Sequence, residues 1–230
     1  MSTEEIKKGG LYIVPTPIGN LDDITFRAVK ILEGVDVIAA EDTRTTKVLL
    51  DHFSIRKQLI SFYSQNENIR VPQIISRLEN GESVALVSDA GTPGISDPAY
   101  SIITAAIEHE IPIIPLPGAT AFVPVLVASG FPTHEFVFLG FLPHKKGRKT
   151  KLETMKEEVR TMVLYESPHR ILRTLEELKD VLGERNAVIG REMTKKFEEL
   201  VRGNFSSLIE IFSNKSIKGE FVLIVEGQSK

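Results

Sequence analysis

Residues 84–98 read Val-Ala-Leu-Val-Ser-Asp-Ala-Gly-Thr-Pro-Gly-Ile-Ser-Asp-Pro, and this stretch decides the fold. Val84–Val87 is an unbroken apolar run, the pattern of a strand covered on both faces. A loop with two glycines and two prolines follows, and then helical spacing as far as about His109. Buried strand, Gly/Pro loop and helix in that order make half of a parallel βαβ unit. The same alternation extends toward the N-terminus. Leu11–Val14 is a short apolar run closed by Pro-Thr-Pro-Ile-Gly. Ile24, Ala28, Ile31 and Leu32 mark a helix, Val35–Ala40 a strand, Thr45–Phe53 a short helix and Leu59–Phe62 a brief strand. Val71, Ile74, Ile75 and Leu78 line one helical face that ends at the C-capping pair Asn80-Gly81. On the other side, Ile111–Leu116 is a strand that Pro112 and Pro115 keep short or place at an edge. The first half is therefore a mostly parallel α/β sheet.

The second half changes character. Pro117-Gly118-Ala119-Thr120-Ala121 opens a small-residue helix that ends at Gly130, and Phe136–Leu139 is strand-like. Lys145–Arg160 is charged, an exposed loop that becomes a helix, and Thr161–Tyr165 is a strand. Ser167-Pro168 reads as an N-cap and first-turn pair for a helix bearing Ile171, Leu172, Leu175, Leu178 and Leu182, stopped by Gly183. Ala187–Gly190, Leu200–Gly203 and Phe221–Val225 complete the strands. No helix is required between the last of these, so the second sheet is expected to be mixed. Two α/β domains follow, residues 1–116 and 117–230.

The 230 residues are 42% hydrophobic and 26% charged, which is ordinary for a soluble protein and excludes disorder, collagen and coiled coil. No apolar run approaches the roughly 20 residues that span a bilayer. The opening MSTEEIKKGG lacks the apolar core and cleavage site of a secretory signal. With no cysteine, a disulfide framework and thiolate chemistry are excluded, and a reducing cytoplasm is the expected location. The net charge of −3 gives no general attraction for polyanions. It hides one basic segment, His144–Lys151 (HKKGRKTK), with five cations and no acid.

Gly/Pro segments at strand ends are where open α/β sheets bind ligands. Val14–Asp23 is a stiff turn without a dinucleotide glycine pattern. In Ser88–Pro98 two glycines let a ligand approach the backbone, Asp89 suits a ribose or an amine, and Asp97 reads as a helix cap. The loop has no phosphate-binding lysine. Pro117–Ala121 suits a flat ring or close helix packing. Glu41-Asp42-Thr43-Arg44 is either a local ion pair or a substrate-facing cluster. Glu166, His169 and Arg170 form a polar group at a strand end or a capping feature. Arg191, Lys195 and Lys196 either meet a polyanion or line a solvated strand. The five histidines have no metal-ligand spacing, and G-x-S-x-G is absent.

Taken in order, LYIVPTPIGNLDDIT, AAEDTRTTKVLL, VALVSDAGTPGISDP, PLPGATA, YESPHR and KGEFVLIVEG resemble the tetrapyrrole methylase superfamily. More narrowly they are similar to its ribosomal RNA small subunit methyltransferase I branch, over residues 11–227. The resemblance implies two α/β domains with S-adenosylmethionine in the cleft between them, and usually a homodimer. It implies transfer of a methyl group to the 2′-oxygen of a cytidine in the decoding centre of small-subunit ribosomal RNA. Donor contacts carried onto this chain are Pro17, Ile18, Asp89, Gly91, Thr92, Pro93, Ile95, Thr120, Ala121, Tyr165, Glu166, Gly219 and Glu220. Gly91-Thr92-Pro93 stands where the wider superfamily has Gly-Asp-Pro, as in the RNA branch. Branch members usually continue past the equivalent of Lys230 with a basic helical tail, so truncation is expected there.

A ribose hydroxyl is a weak nucleophile and needs an acceptor for its proton, for which Asp42 or Glu41 is expected. Arg44 and Lys195 are expected at the adjacent phosphate, with Arg170 and Arg191 also on the substrate side. Lys145, Lys146, Arg148, Lys149 and Lys151 are expected to form an RNA-contacting loop. A methyltransferase acting on a small molecule such as a tetrapyrrole is the alternative reading, and a donor-binding module without transfer is the third.

Overall fold

The computed structural model describes residues 5–228. The chain divides into two compact units, one ending at Thr120 and the other beginning at Ala121. The elements of the first are β1 (Leu11–Ile13), α1 (Phe26–Gly34), β2 (Val37–Ala40), α2 (Thr43–His52), β3 (Gln58–Ser61), α3 (Glu67–Glu79), β4 (Val84–Val87), α4 (Tyr100–Glu108) and β5 (Ile113–Pro115). All strand pairs are parallel, in the order β3-β2-β4-β1-β5. The three inner strands are buried along their whole length, while the edge strands β3 and β5 are partly exposed. Pro115, which has no N–H to give, lies in the edge strand β5, where that is tolerated.

The two sheet faces alternate residue by residue. Tyr12, Val14, Ile38, Ala40, Ala85 and Val87 meet Ala28, Ile31 and Leu32 of α1 and Leu50 of α2. Leu11, Ile13, Val37, Ala39, Val84 and Leu86 meet Ile74, Ile75 and Leu78 of α3 and Ile102 and Ala106 of α4. Helices on the two faces follow from right-handed crossovers that run first one way along the sheet and then the other. The chain therefore leaves β4 toward the opposite face from its neighbours β1 and β2. That divergence is the switch point at which such sheets form a ligand crevice.

The second unit contains α5 (Phe122–Val127), β6 (Phe136–Phe141), α6 (Arg148–Thr154), β7 (Thr161–Glu166), α7 (Ile171–Leu182), β8 (Asn186–Arg191), β9 (Glu199–Asn204), α8 (Phe205–Ser213) and β10 (Phe221–Val225). The order is β6-β7-β10-β8-β9, with β6 parallel to β7 and the other pairs antiparallel, a mixed sheet as expected. One face packs on α6, α7 and α8 through Leu152, Leu175, Leu178, Phe205, Leu208 and Phe212. The other receives Val125 and Leu126 of α5 over Val163, Val188, Val222 and Ile224.

Two local expectations are corrected here. Ser167 does not cap α7; residues 167–170 make a turn in which the Ser167 carbonyl accepts from the N–H groups of Arg170 and Ile171, both at 3.1 Å. A helix, α8, stands between β9 and β10, where none was required. Asn204 caps it by accepting from Ser207 N at 2.9 Å, and Phe205, Leu208 and Phe212 form its buried stripe. No helix among the described residues is long and apolar enough to cross a membrane.

Candidate active site

In the first unit the loops after β1, β2, β4 and β5 meet at the carboxyl end of the sheet. Thr16 and Gly91 exchange two backbone hydrogen bonds, 2.9 and 3.0 Å, which join the diverging β1 and β4 loops. The Thr16 hydroxyl donates to Ser88 O at 3.1 Å, and the Ser88 hydroxyl donates to Gly91 O at 3.2 Å. Gly91 has φ 86°, a left-handed conformation that disfavours any side chain, and a Cβ there would lie 3.3 Å from the Ile18 side chain. The Thr92 hydroxyl donates to Ala119 O and lies 2.9 Å from the Thr120 hydroxyl. Ile18, Gly91, Thr92 and Thr120 are thus one cluster. Pro17 and Pro93 are buried beside it in the same loops, and Ile95 is exposed.

Carboxylates crowd the neighbouring strand ends. Asp42 N donates to Asp89 Oδ1 at 2.9 Å, and Asp89 N donates to Glu41 Oε2 at 3.4 Å. The two adjacent acids of the β2 loop are pushed in opposite directions. Asp42 grips Arg44 side chain to side chain, with Nη2 2.6 Å from Oδ2, and also caps α2 through Arg44 N. Those bonds hold its pKa down at about 2. Burial pushes Glu41 up, and the negative charge of Asp97 adds to it. Asp97 is itself raised by burial, despite a hydrogen bond from Ser88.

Three expectations fall on this cluster. Both oxygens of Asp42 are engaged by Arg44, whereas those of Glu41 meet no cation among the described contacts. Arg44, although nearly all exposed, is already paired with Asp42. Asp97 does not cap α4, whose N-cap is Ala99. The raised Asp97 is the functional candidate that sequence reasoning passed over; its only local signal was a second Ser-Asp in the same loop.

In the second unit, Phe221 pairs with both Glu166 and Arg191, which brings the ends of β7 and β8 and residues Gly219 and Glu220 to one end of the sheet. The Tyr165 ring lies among Phe138, Phe141 and Phe122, at centroid separations of 5.3, 5.5 and 6.4 Å. Ala121 packs on the α5 side of this sheet. The Glu166 side chain, 1% exposed, pairs with Arg170 at 2.7 Å and accepts from Ser167 N and the Thr174 hydroxyl.

The sequence-predicted substrate cations of this unit are mostly engaged. Arg170 pairs with Glu166 and donates to Leu142 O at 3.0 Å. Arg148, 5% exposed, is held by Glu177, Thr174 and Pro143 O, which corrects its assignment as an RNA contact. Arg191 bonds Lys218 O at 2.8 Å and Glu199 at 3.4 Å. Lys195 meets Glu192 and Glu220, each at 3.0 Å. Burial lowers the pKa of Lys195, but these two acids outweigh it and leave it raised. The turn that carries Lys195 is strained: Glu192 and Thr194 have φ 49° and 67°, and the Thr194 hydroxyl is buried without a partner. By contrast, Lys145, Lys146 and Lys149 are exposed.

These features define a class: a doubly wound parallel unit followed by a mixed one, with lysine-free, acceptor-rich loops at the switch point of the first. The chain belongs to the tetrapyrrole methylase family, whose model, described as Tetrapyrrole (Corrin/Porphyrin) Methylases, matches residues 10–209. It is 49% identical over 224 residues to a protein of Halalkalibacterium halodurans named Ribosomal RNA small subunit methyltransferase I, covering 97% of this chain and 78% of that one. A protein of the same name from Hydrogenobaculum is 48% identical over 95% of this chain and 96% of its own length. The Bacillus subtilis protein of that name is 46% identical over 96% of this chain and 76% of its own. Among solved structures, the methyltransferase CobJ superposes with TM-score 0.70 at 20% identity, over 95% of this chain and 94% of that one. Uroporphyrin-III-C-methyltransferase from Thermus thermophilus gives 0.68 at 19%, over 95% and 94%. At such identities these structures speak for the fold alone.

Proposed function

We infer that this protein is an S-adenosylmethionine-dependent methyltransferase that acts on the 2′-oxygen of a cytidine in the decoding centre of small-subunit ribosomal RNA. The observation that carries this reading is near-half identity, over almost the whole chain, to proteins named for small-subunit ribosomal RNA. The exposed Lys145, Lys146 and Lys149 favour RNA over a tetrapyrrole, since a small macrocycle needs no basic arm.

The first unit suits the donor. A sulfonium is cationic, and the loops around Gly91 offer carbonyls and carboxylates and no lysine. Gly91, Thr92, Ile18 and Thr120 would hold it, with Pro17, Asp89, Pro93 and Ile95 from the same loops. In the second unit, Ala121, Tyr165, Glu166, Gly219 and Glu220 are proposed as donor contacts on the family resemblance alone. When bound, the donor supplies an electrophilic methyl group. The chain's own work is to hold the ribose oxygen in line at roughly 3 Å, and alignment of this kind is worth about 7–11 kcal/mol. Glu41, whose pKa burial raises, accepts the hydroxyl proton. Lys195 and Arg191 are paired in the free protein, so they would need to exchange partners to meet a phosphate.

Radiolabelled methyl transfer to small ribosomal subunits, to free RNA and to a tetrapyrrole tests the reading. Label on the subunit or RNA is expected; label only on the tetrapyrrole would select the alternative. We also propose a homodimer in the cytoplasm. Exposed apolar residues such as Phe26 and Tyr100 support self-association, which sedimentation at several protein concentrations would check.

A further inference from the structure

The basic segment is not a uniform row of cations. Its middle member, Arg148, is turned into the second unit and spends its guanidinium there. Nε donates to Glu177 at 2.6 Å, Nη2 to the Thr174 hydroxyl at 2.7 Å and Nη1 to Pro143 O at 3.1 Å. Thr174, fully buried, passes the chain on by donating to Glu166 Oε2 at 2.7 Å. Arg170 reaches the other oxygen of Glu166 at 2.7 Å and also donates to Leu142 O at 3.0 Å. The loop from Leu142 to Arg148 is therefore fastened at both ends, at Leu142 through Arg170 and at Arg148 through Thr174, to one buried carboxylate and its neighbours, and the bond from Arg148 to Pro143 O closes the loop on itself. The loop's own bonds agree: Arg148 N donates to Lys145 O at 3.2 Å and Lys151 N to Gly147 O at 2.9 Å, and Gly147 takes φ 81°. Between the fastenings stand Lys145 and Lys146, with Lys149 one residue beyond, all exposed.

Burying a guanidinium yields no stability that an apolar residue of similar volume would not match. What a planar fork with three acceptors does supply is geometry. We propose that Arg148, Thr174 and Arg170 are positioning residues that lock the 142–149 segment onto Glu166, so that Lys145, Lys146 and Lys149 form a preformed phosphate-binding loop. This rests on the RNA reading above and adds how the loop achieves its affinity: ordering is completed on folding and not charged to RNA binding.

The test measures binding of a short single-stranded oligoribonucleotide of decoding-centre sequence against salt, using the full chain. The variants are R148Q, T174V, R148K and the triple variant K145A/K146A/K149A, each checked for fold by circular dichroism. The triple variant is expected to flatten the log–log salt slope by about 2, at about 0.7 per phosphate on single strands. R148Q and T174V are expected to weaken binding about tenfold at every salt with the slope unchanged, and R148K not to rescue. A slope flattened by about 0.7 in R148Q would make Arg148 a phosphate contact and overturn the proposal. So would unchanged affinity in folded R148Q and T174V, since a merely structural role would lower thermal stability alone. If the triple variant keeps the wild-type slope, the RNA reading of the segment itself fails. Hydrogen exchange on the wild type needs no variant: the Arg148 and Lys151 amides are expected to be protected without RNA. Free exchange there that slows only with RNA would show that the loop is not preformed.

Discussion

The two sheets end in similar residue types and treat them differently. At the carboxyl end of the first sheet, Glu41 and Asp97 are pushed toward neutrality by burial, and the glycine loop is held by backbone bonds. In the second, the buried Glu166 and Arg148 are paired, Glu166 with Arg170 and Arg148 with the half-buried Glu177, and Thr174 links the two pairs. The lesson concerns partners. A carboxylate whose partner is a neighbouring acid stores chemistry, because its proton is easily returned. A carboxylate whose partner is a buried arginine stores architecture.

The largest effect that could break this contrast is on turnover. Glu41→Gln should lower methyl transfer at saturating donor by about 10²–10⁴, the usual range for a lost general base, while Asp42→Asn should change it less than about tenfold. Equal losses in the two would erase the distinction drawn from their opposite pKa displacements. Since Glu41 must be ionised to act and burial raises its pKa, the rate should climb with pH through a pKa higher than that of a free glutamate.

The next effect is on stability. Glu166→Ala leaves Arg170 inside without its partner, and breaking a buried pair costs about 3–5 kcal/mol, to be read by urea unfolding. Asp89→Ala, at an exposed position of the loop after β4, should cost no more than about 1 kcal/mol. Comparable losses would mean that the second network is not structural. Gly91→Ala comes third: the left-handed backbone disfavours alanine by about 1–2 kcal/mol, and donor affinity measured by calorimetry should fall with it.

The smallest effect is the response to acid. Glu177, Glu184, Glu192 and Glu199 of the second unit are lowered, and Glu158 lies at about 2. Their stabilisation is present above the unfolded carboxylate pKa and is lost as pH falls through the folded values. Glu41 and Asp97 of the first unit are raised, so their contribution runs the other way, full below the unfolded pKa and lost as pH rises through the folded one. Asp36 and Asp42 of the first unit are lowered as well, so acid removes stabilisation from both units, and the urea midpoint followed from pH 7 toward pH 3 should fall as these carboxylates take up protons.

What the sequence made legible follows the same division. The parallel sheet could be read because Val84–Val87 and Val37–Ala40 are buried on both faces and leave unbroken apolar runs. Gly91 and its loop were visible because glycine and proline mark special backbone. The opposite fates of Glu41 and Asp42 were not visible: both are acids beside an arginine, and only folding decides which one the guanidinium reaches. Arg148 was hidden for a related reason. Among five cations in eight residues nothing local marks the one that turns inward, because its acceptors, Thr174 and Glu177, lie in α7. The helix α8 had a signal, Asn204 followed by Phe205, Leu208 and Phe212 at helical spacing, that was outweighed by the short gap between two strands.

The most direct measurement incubates the protein with small ribosomal subunits and methyl-labelled S-adenosylmethionine, then digests the RNA with alkali. A 2′-O-methyl group blocks alkaline cleavage, so the label should appear in an alkali-resistant dinucleotide containing a modified cytidine, and Glu41→Gln should nearly abolish it. Label released on a mononucleotide base, or no label on RNA at all, would contradict the assignment.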